Sequence, residues 1–180
     1  MKTKYPFRCI IKYIPSRYSN LQEWQQANQR LVYHFKHGMI EDRHKTAILD
    51  AIKGIIKDRP DEWVVAFVPA STNAKTIQRY SSLSSFLKDH LGCPVSLSAI
   101  KNFQDYEPVH LSGETVFKIH AINKEYFADK RVVLIDDIVT TGRSFKTMGD
   151  KLIYLGALSV YGVCFAMTIH PNLPTKQKHY

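Results

Sequence analysis

The residues best placed to do chemistry in this chain are two adjacent carboxylates, Asp136 and Asp137, with a run of hydroxyls shortly after them. They follow four apolar residues, Val132, Val133, Leu134 and Ile135. They precede Ile138 and Val139 and then Thr140, Thr141, Gly142, Arg143 and Ser144. Carboxylates accept hydrogen bonds from sugar hydroxyls. A glycine-containing turn that opens a helix presents unpaired backbone N–H groups at the positive end of the helix dipole, which suits a phosphate. Side by side, the two features suit a phosphorylated sugar. A plain acidic turn with Ser144 or Thr141 as helix N-cap would leave the same string. The chain contains no G-x-x-x-x-G-K-[ST] and no G-x-G pair, so neither a P-loop nor a dinucleotide fingerprint is supported.

The elements around this stretch set its place. Residues 132–135 read as a short strand buried on both faces, the kind found inside a parallel sheet, with the carboxylates at its end. Phe145, Met148, Leu152 and Leu155 share one face of a following helix that Gly156 closes. Both carboxylates are therefore expected to face the crevice at the carboxyl end of the strand, where open α/β sheets bind ligands. A second strand, WVVAFV over 63–68, runs into Pro69, Ala70, Ser71 and Thr72 and then a helix over 75–91. This is a second candidate anion loop, unless Ser71 or Thr72 merely caps the helix.

A third strand is expected over 94–100. The aperiodic stretch 101–120 after it carries Lys101, His110 and Lys118. A structureless stretch of that length reads as a lid or binding loop, or as a hairpin turning at Ser112 and Gly113. The N-terminal part reads as a strand over 5–14, a helix over 21–37 capped at Ser19 or Asn20, and a helix over 41–58. A short helix over 121–128 and a strand over 158–166 complete the pattern. Strands and helices alternate from residue 63 onward, which predicts an α/β fold with a doubly wound parallel sheet and the N-terminal helices beside it. The whole chain, 1–180, reads as one domain: a basic helical part over 1–60, a core over 61–170 and a tail over 171–180.

Composition narrows the function classes. Hydrophobic residues make up 44% and charged residues 23% of the 180, ordinary for a globular domain. The N-terminal apolar run is short and interrupted by Lys12, so neither a signal peptide nor a membrane span is expected. Cys9, Cys93 and Cys164 form no metal-ligand spacing, and three reduced thiols in a cytoplasmic protein are the expectation. The net charge of +9 is uneven: residues 1–60 carry 12 Lys and Arg against 5 Asp and Glu. That basic third suits nucleic acid, a polyphosphate substrate or simply a solvated face.

The string RVVLIDDIVTTGRSF over 131–145 resembles the phosphoribosyl-pyrophosphate (PRPP) signature of type I phosphoribosyltransferases. The order LVYHFKHG, VPAST, long loop, signature resembles the ComF-like branch, without the cysteine-rich zinc-binding segment that many such proteins carry at their start. The resemblance implies a Mg²⁺-dependent transfer of the 5-phosphoribosyl group from PRPP to a nitrogen acceptor, with release of pyrophosphate. It assigns Asp136 and Asp137 to the ribose hydroxyls and to Mg²⁺, directly or through water. Thr140, Thr141, Gly142, Arg143 and Ser144 go to the 5′-phosphate, and Pro69, Ala70, Ser71 and Thr72 to the pyrophosphate. Lys101 and Lys118 fall on a flap that closes over PRPP. The same resemblance leaves room for a non-catalytic PRPP- or nucleotide-sensing protein, or one linked with DNA uptake, and for a homodimer. The acceptor base has no diagnostic pattern in the sequence.

Overall fold

The computed structural model describes residues 4–103 and 120–170. Five strands form one parallel sheet: β1 (Phe7–Tyr13), β2 (Trp63–Phe67), β3 (Val95–Ser96), β6 (Arg131–Val139) and β7 (Ser159–Thr168), in the order β1-β7-β6-β2-β3. Two further short strands, β4 (Ile100–Asn102) and β5 (His120–Ile122), pair antiparallel beside it. Helices α1 (Glu23–Lys36), α2 (Asp42–Ile56) and α3 (Asn73–His90) precede the short α4 (Lys124–Phe127), and α5 (Arg143–Tyr154) follows β6.

Parallel strands need crossovers that put helices on the sheet, so the central strands read as unbroken apolar runs. Every residue of β2 is buried, as are Val132 to Asp136 of β6. Alternation along those strands divides the core in two. Val65, Phe67, Val133, Ile135, Val163 and Phe165 pack with Phe35 of α1, Ile48 and Ile52 of α2, and Tyr80, Leu83 and Leu87 of α3. Val64, Ala66, Val132, Leu134 and Val160 pack on the opposite face with Phe127 of α4 and Phe145, Met148 and Leu152 of α5. The sheet is thus covered on both sides, as the sequence pattern predicts. The two N-terminal helices pack beside it as expected, sharing one layer with α3.

Local corrections follow from packing and capping. The expected strand over 94–100 is broken into β3 and β4, because Ser96 Oγ accepts from the amides of Ser98 and Ala99 and turns the chain between them. Helix α1 starts at Gln22, not at Ser19 or Asn20. Gln22 and Gln25 cap each other there through side chain and backbone. His44, one of three histidines near α1 and α2, is a core-edge group with its ring edge-on to Phe165 at 5.4 Å.

Cys9 and Cys164 lie opposite one another in the register of β1 and β7, with Cα atoms 4.6 Å apart, and are joined by a disulfide. The expectation of three reduced thiols is corrected here. The partners are 155 residues apart in sequence, and only the sheet register reveals the pair. Cys93 remains free and buried, and burial pushes its thiol up to about 11. Among the described residues no helix is long and apolar enough to cross a membrane.

Two expected outcomes test this packing. A Cβ on Gly162, in the middle of β7, would lie 2.6 Å from the Phe145 ring and 2.7 Å from Phe7 Cβ. Gly162→Ala should therefore cost about 1–3 kcal/mol in urea unfolding, as overpacked cores do. Thiol titration of the denatured, unreduced chain should count one thiol before reduction and three after it.

Candidate active site

Strand β6 carries the site because it outlasts its neighbour. Its pairing with β2 ends at Phe67↔Ile135, with one further bond from Val68 N to Ile135 O at 2.8 Å. On the other side, pairing with β7 continues through Asp136↔Cys164 to Val139↔Met167. The last four residues of β6 therefore have a strand on one edge and the loop after β2 on the other. Both carboxylates lie within the strand, not beyond its end as the sequence suggests. The apolar residues Ile138 and Val139 keep the ladder to β7 going past them.

This placement covers the acids. Asp136 is 8% exposed, and its Oδ1 accepts from the Asp137 amide at 2.8 Å. Burial holds its carboxyl well above the ordinary range, and the neighbouring Asp137 charge adds to the rise. Asp137 Oδ1 accepts from the Ile138 amide at 2.7 Å, and its Oδ2 meets Arg79 Nη1 of α3 at 2.7 Å. Lys36 Nζ, at the end of α1, stands 3.9 Å from the same oxygen. Burial works most strongly against the Arg79 charge, but Asp137, Tyr80 and Asp136 together outweigh it and leave the guanidinium held above its ordinary value. The expected open, solvent-lined carboxylate pair is thus a buried acid, its carboxyl pushed up by burial, next to an ion-paired carboxylate. Arg79 and Lys36 were invisible in the sequence: Arg79 sits among the apolar positions of α3, and nothing in its spacing points to Asp137.

The loop after β6 is open where the strand is closed. Thr140, Thr141, Arg143 and Ser144 are exposed, while Gly142 is buried at φ 75°, ψ 5°, the left-handed region that favours glycine. Gly142 is the N-cap of α5, in place of the Thr141 or Ser144 cap the sequence allows. Thr140 Oγ1 lies 2.9 Å from Thr168 Oγ1, tying the loop to the end of β7. Thr141 Oγ1 accepts from Arg143 N at 3.4 Å. The first-turn amides of a helix have no partner within it, so this loop brings hydroxyls and free donors to one exposed place.

The loop after β2 is braced from the far side of the sheet. Thr72 caps α3, its Oγ1 accepting from Lys75 N at 3.1 Å, so the capping role weighed for it in the sequence is the one it fills. The Ala70 amide donates to Thr76 Oγ1 at 2.9 Å, and Asn102 of β4 donates through Nδ2 to Ala70 O at 2.8 Å. Asn73 and Asn102 exchange two more bonds at 3.0 and 3.1 Å. Pro69 and Ala70 are buried in this frame and shape the loop, while Ser71 and Thr72 are half-buried at its rim. Lys101, beside Asn102, is exposed on β4. Lys118, His110, Ser112, Gly113 and most of the expected flap lie outside the described residues. The pairing of β4 with β5 fixes the two ends of that segment next to each other.

Among the described residues no three metal-ligating side chains gather. Two carboxylates are nonetheless a donor set that fits Mg²⁺, which keeps most of its ligands as water and substrate oxygens. Asp136 also makes stability depend on pH. A folded state that keeps this carboxyl protonated binds a proton the unfolded chain has released. Stability should therefore fall as pH rises from the ordinary carboxyl value of 3.8 toward the raised one. Asp136→Asn fixes the neutral form, so its melting temperature should change less than the parent's between about pH 5 and pH 8. An unchanged slope would mean that Asp136 is ionised in the fold.

Comparison with known proteins places this geometry. Residues 44–179 match the family model of the phosphoribosyl transferase domain. No curated protein sequence matches the chain. Among solved structures, a purine phosphoribosyltransferase from Pyrococcus horikoshii is 20% identical over 91% of this chain and 85% of its own, with a TM-score of 0.41. A hypoxanthine-guanine phosphoribosyltransferase from Bacillus anthracis is 12% identical over 78% and 79%, with a TM-score of 0.43. One from L. donovani is 16% identical over 76% and 71%, with a TM-score of 0.42. With its family match covering the sheet from α2 to the end of β7, the chain belongs to the phosphoribosyl transferase domain family and is an enzyme of the transferase class.

Proposed function

We propose that this enzyme transfers the 5-phosphoribosyl group of PRPP to a nitrogen acceptor and releases pyrophosphate. The observation that carries the reading is the exposed loop of hydroxyls and helix-start amides, 140–144, directly downstream of two carboxylates in a central strand. Thr140, Thr141, Gly142 and Ser144 hold the 5′-phosphate, and exposed Arg143 adds charge beside it. Ser71 and Thr72 at the rim of the second loop face the pyrophosphate, with Pro69 and Ala70 setting the loop's shape. Lys101, and Lys118 beyond the described residues, add positive charge over the leaving group. Asp136 and Asp137 would hold Mg²⁺ and the ribose hydroxyls. When bound, Mg²⁺ supplies charge that neutralises the departing pyrophosphate.

The departure of pyrophosphate from C1′ builds oxocarbenium character on the ribose, so the chain's part is positioning and charge compensation. Asp136 hydrogen-bonds one ribose hydroxyl. Asp137 accepts from another as the sugar draws it from Arg79, which orients the carboxylate until then. The ComF-like order of segments supports placing the chain in that branch.

One observation favours a second reading. With Asp136 covered and Asp137 already paired, the fold would also suit a protein that binds PRPP or a nucleotide as a signal without turning it over.

Mixing the protein with PRPP, Mg²⁺ and a panel of nucleobases, and following pyrophosphate, separates the two. Turnover with at least one base is the expected result, and Asp136→Asn should lower kcat/KM by about a hundredfold. Asp136 is the better target, because Asp137→Asn strands buried Arg79 and costs stability as well. PRPP binding without pyrophosphate release for any base supports the sensor. No binding at millimolar PRPP removes both readings.

A further inference from the structure

A second cavity, of about 430 Å³, lies at the other end of the sheet, where β1, β2, β6 and β7 begin and α2 ends. Arg8, Lys57, Arg59 and Arg131 line it, and among the described residues no carboxylate does. Glu62 pairs with two of these cations, Arg59 at 3.0 Å and Arg131 at 3.2 Å, which leaves the cluster with a clear positive excess. Arg8, Lys57 and Arg59 are three of the twelve Lys and Arg in the first sixty residues. Trp63 and Tyr161 form an aromatic wall, edge to face at 5.5 Å, with the Arg131 guanidinium 5.9 Å from the Trp63 ring.

Two backbone features favour this cavity at a cost to local stability. Gly54 sits inside α2, where glycine is about 1 kcal/mol worse than alanine. A Cβ there would lie 3.2 Å from Arg8 Nη1, so the missing side chain lets the guanidinium rest against the helix. Lys57 ends α2 at φ 54°, ψ −130°, a conformation that L residues rarely adopt.

We propose that this cavity binds a nucleoside monophosphate, its phosphate on Arg8, Lys57, Arg59 and Arg131 and its base against Tyr161 and Trp63. Arginine forks match phosphate oxygens two at a time and stack on aromatic rings, and a base offers the π-face that an aromatic wall takes. The volume lies in the range of small-molecule sites, about 300–1,000 Å³. It exceeds what inorganic phosphate needs and matches the size of a single nucleotide. The site is separate from loop 140–144 and does not depend on the PRPP reading.

Calorimetric titration with AMP and UMP tests the proposal on three proteins: the parent, Ser144→Asp and Arg8→Gln/Lys57→Gln. Ser144→Asp places a repelling carboxylate in the other phosphate loop, so any nucleotide taken up there is lost. The parent and Ser144→Asp should both bind one nucleotide at this cavity with similar affinity. Arg8→Gln/Lys57→Gln should bind at least tenfold more weakly, and adenosine and inorganic phosphate should each bind the parent at least tenfold more weakly than AMP. Should the double variant fail to fold, Lys57→Glu alone, at an exposed position, carries the same comparison.

Several results overturn the proposal. Binding lost in Ser144→Asp but kept in the double variant puts the nucleotide in the crevice alone. Phosphate as tight as AMP makes this a simple anion site. A twelve-nucleotide single strand tighter than AMP makes it a nucleic-acid face. No binding, with a melting temperature lowered in the double variant, leaves the cations as caps on the negative end of α2.

Discussion

The site depends on one mismatch of lengths: β6 runs four residues past the last residue of β2 that pairs with it. An unpaired strand edge exposes backbone donors and acceptors that must be satisfied somewhere. Here β7 satisfies one edge of 136–139, and the divergence of β2 into the 68–72 loop opens the other. That opening is where a parallel sheet can admit a ligand without breaking its core. The apolar Ile138 and Val139 allow β6 to continue beside β7, and the hydroxyl loop begins only after them.

The same mismatch sets the electrostatics. Acids inside a strand lose water, and each is stabilised differently. Burial pushes the Asp136 carboxyl up, and Asp137 is compensated by Arg79 and Lys36 from the helices that pack on that face. Breaking a buried pair leaves an uncompensated charge, so α1 and α3 are tied to the site by charge as well as by the apolar layer beneath them. Asn102 plays the matching role for the second loop. It reaches from β4 to brace Ala70 and Asn73, and so couples the base of the 103–119 segment to the loop assigned to pyrophosphate.

Much of this was legible in the sequence, for definite reasons. The unbroken apolar runs of β2 and β6, the Phe145–Met148–Leu152 stripe and Gly156 at its end are local patterns whose periods declare themselves. Gly142 and the threonines before it mark the candidate anion loop for the same reason. What stayed hidden is pairwise and distant. Nothing near Asp137 announces Arg79, nothing near Cys9 announces Cys164, and the brace from Asn102 to Ala70 joins two loops that look unrelated in the chain. The covered state of the carboxylates was hidden too, because strand length past Ile135 depends on pairing with β7 and not on the residues of β6 alone.

The central claim is that loop 140–144 receives the phosphate of a phosphoribosyl group. Backbone amide NMR during titration with ribose 5-phosphate tests it most directly, since it needs neither an acceptor nor turnover. The account predicts the largest, saturable shifts at Gly142, Arg143 and Ser144 at the start of α5, with smaller ones at Asp136 and Asp137. Saturable shifts confined to other parts of the chain, or none at millimolar ligand, would contradict it.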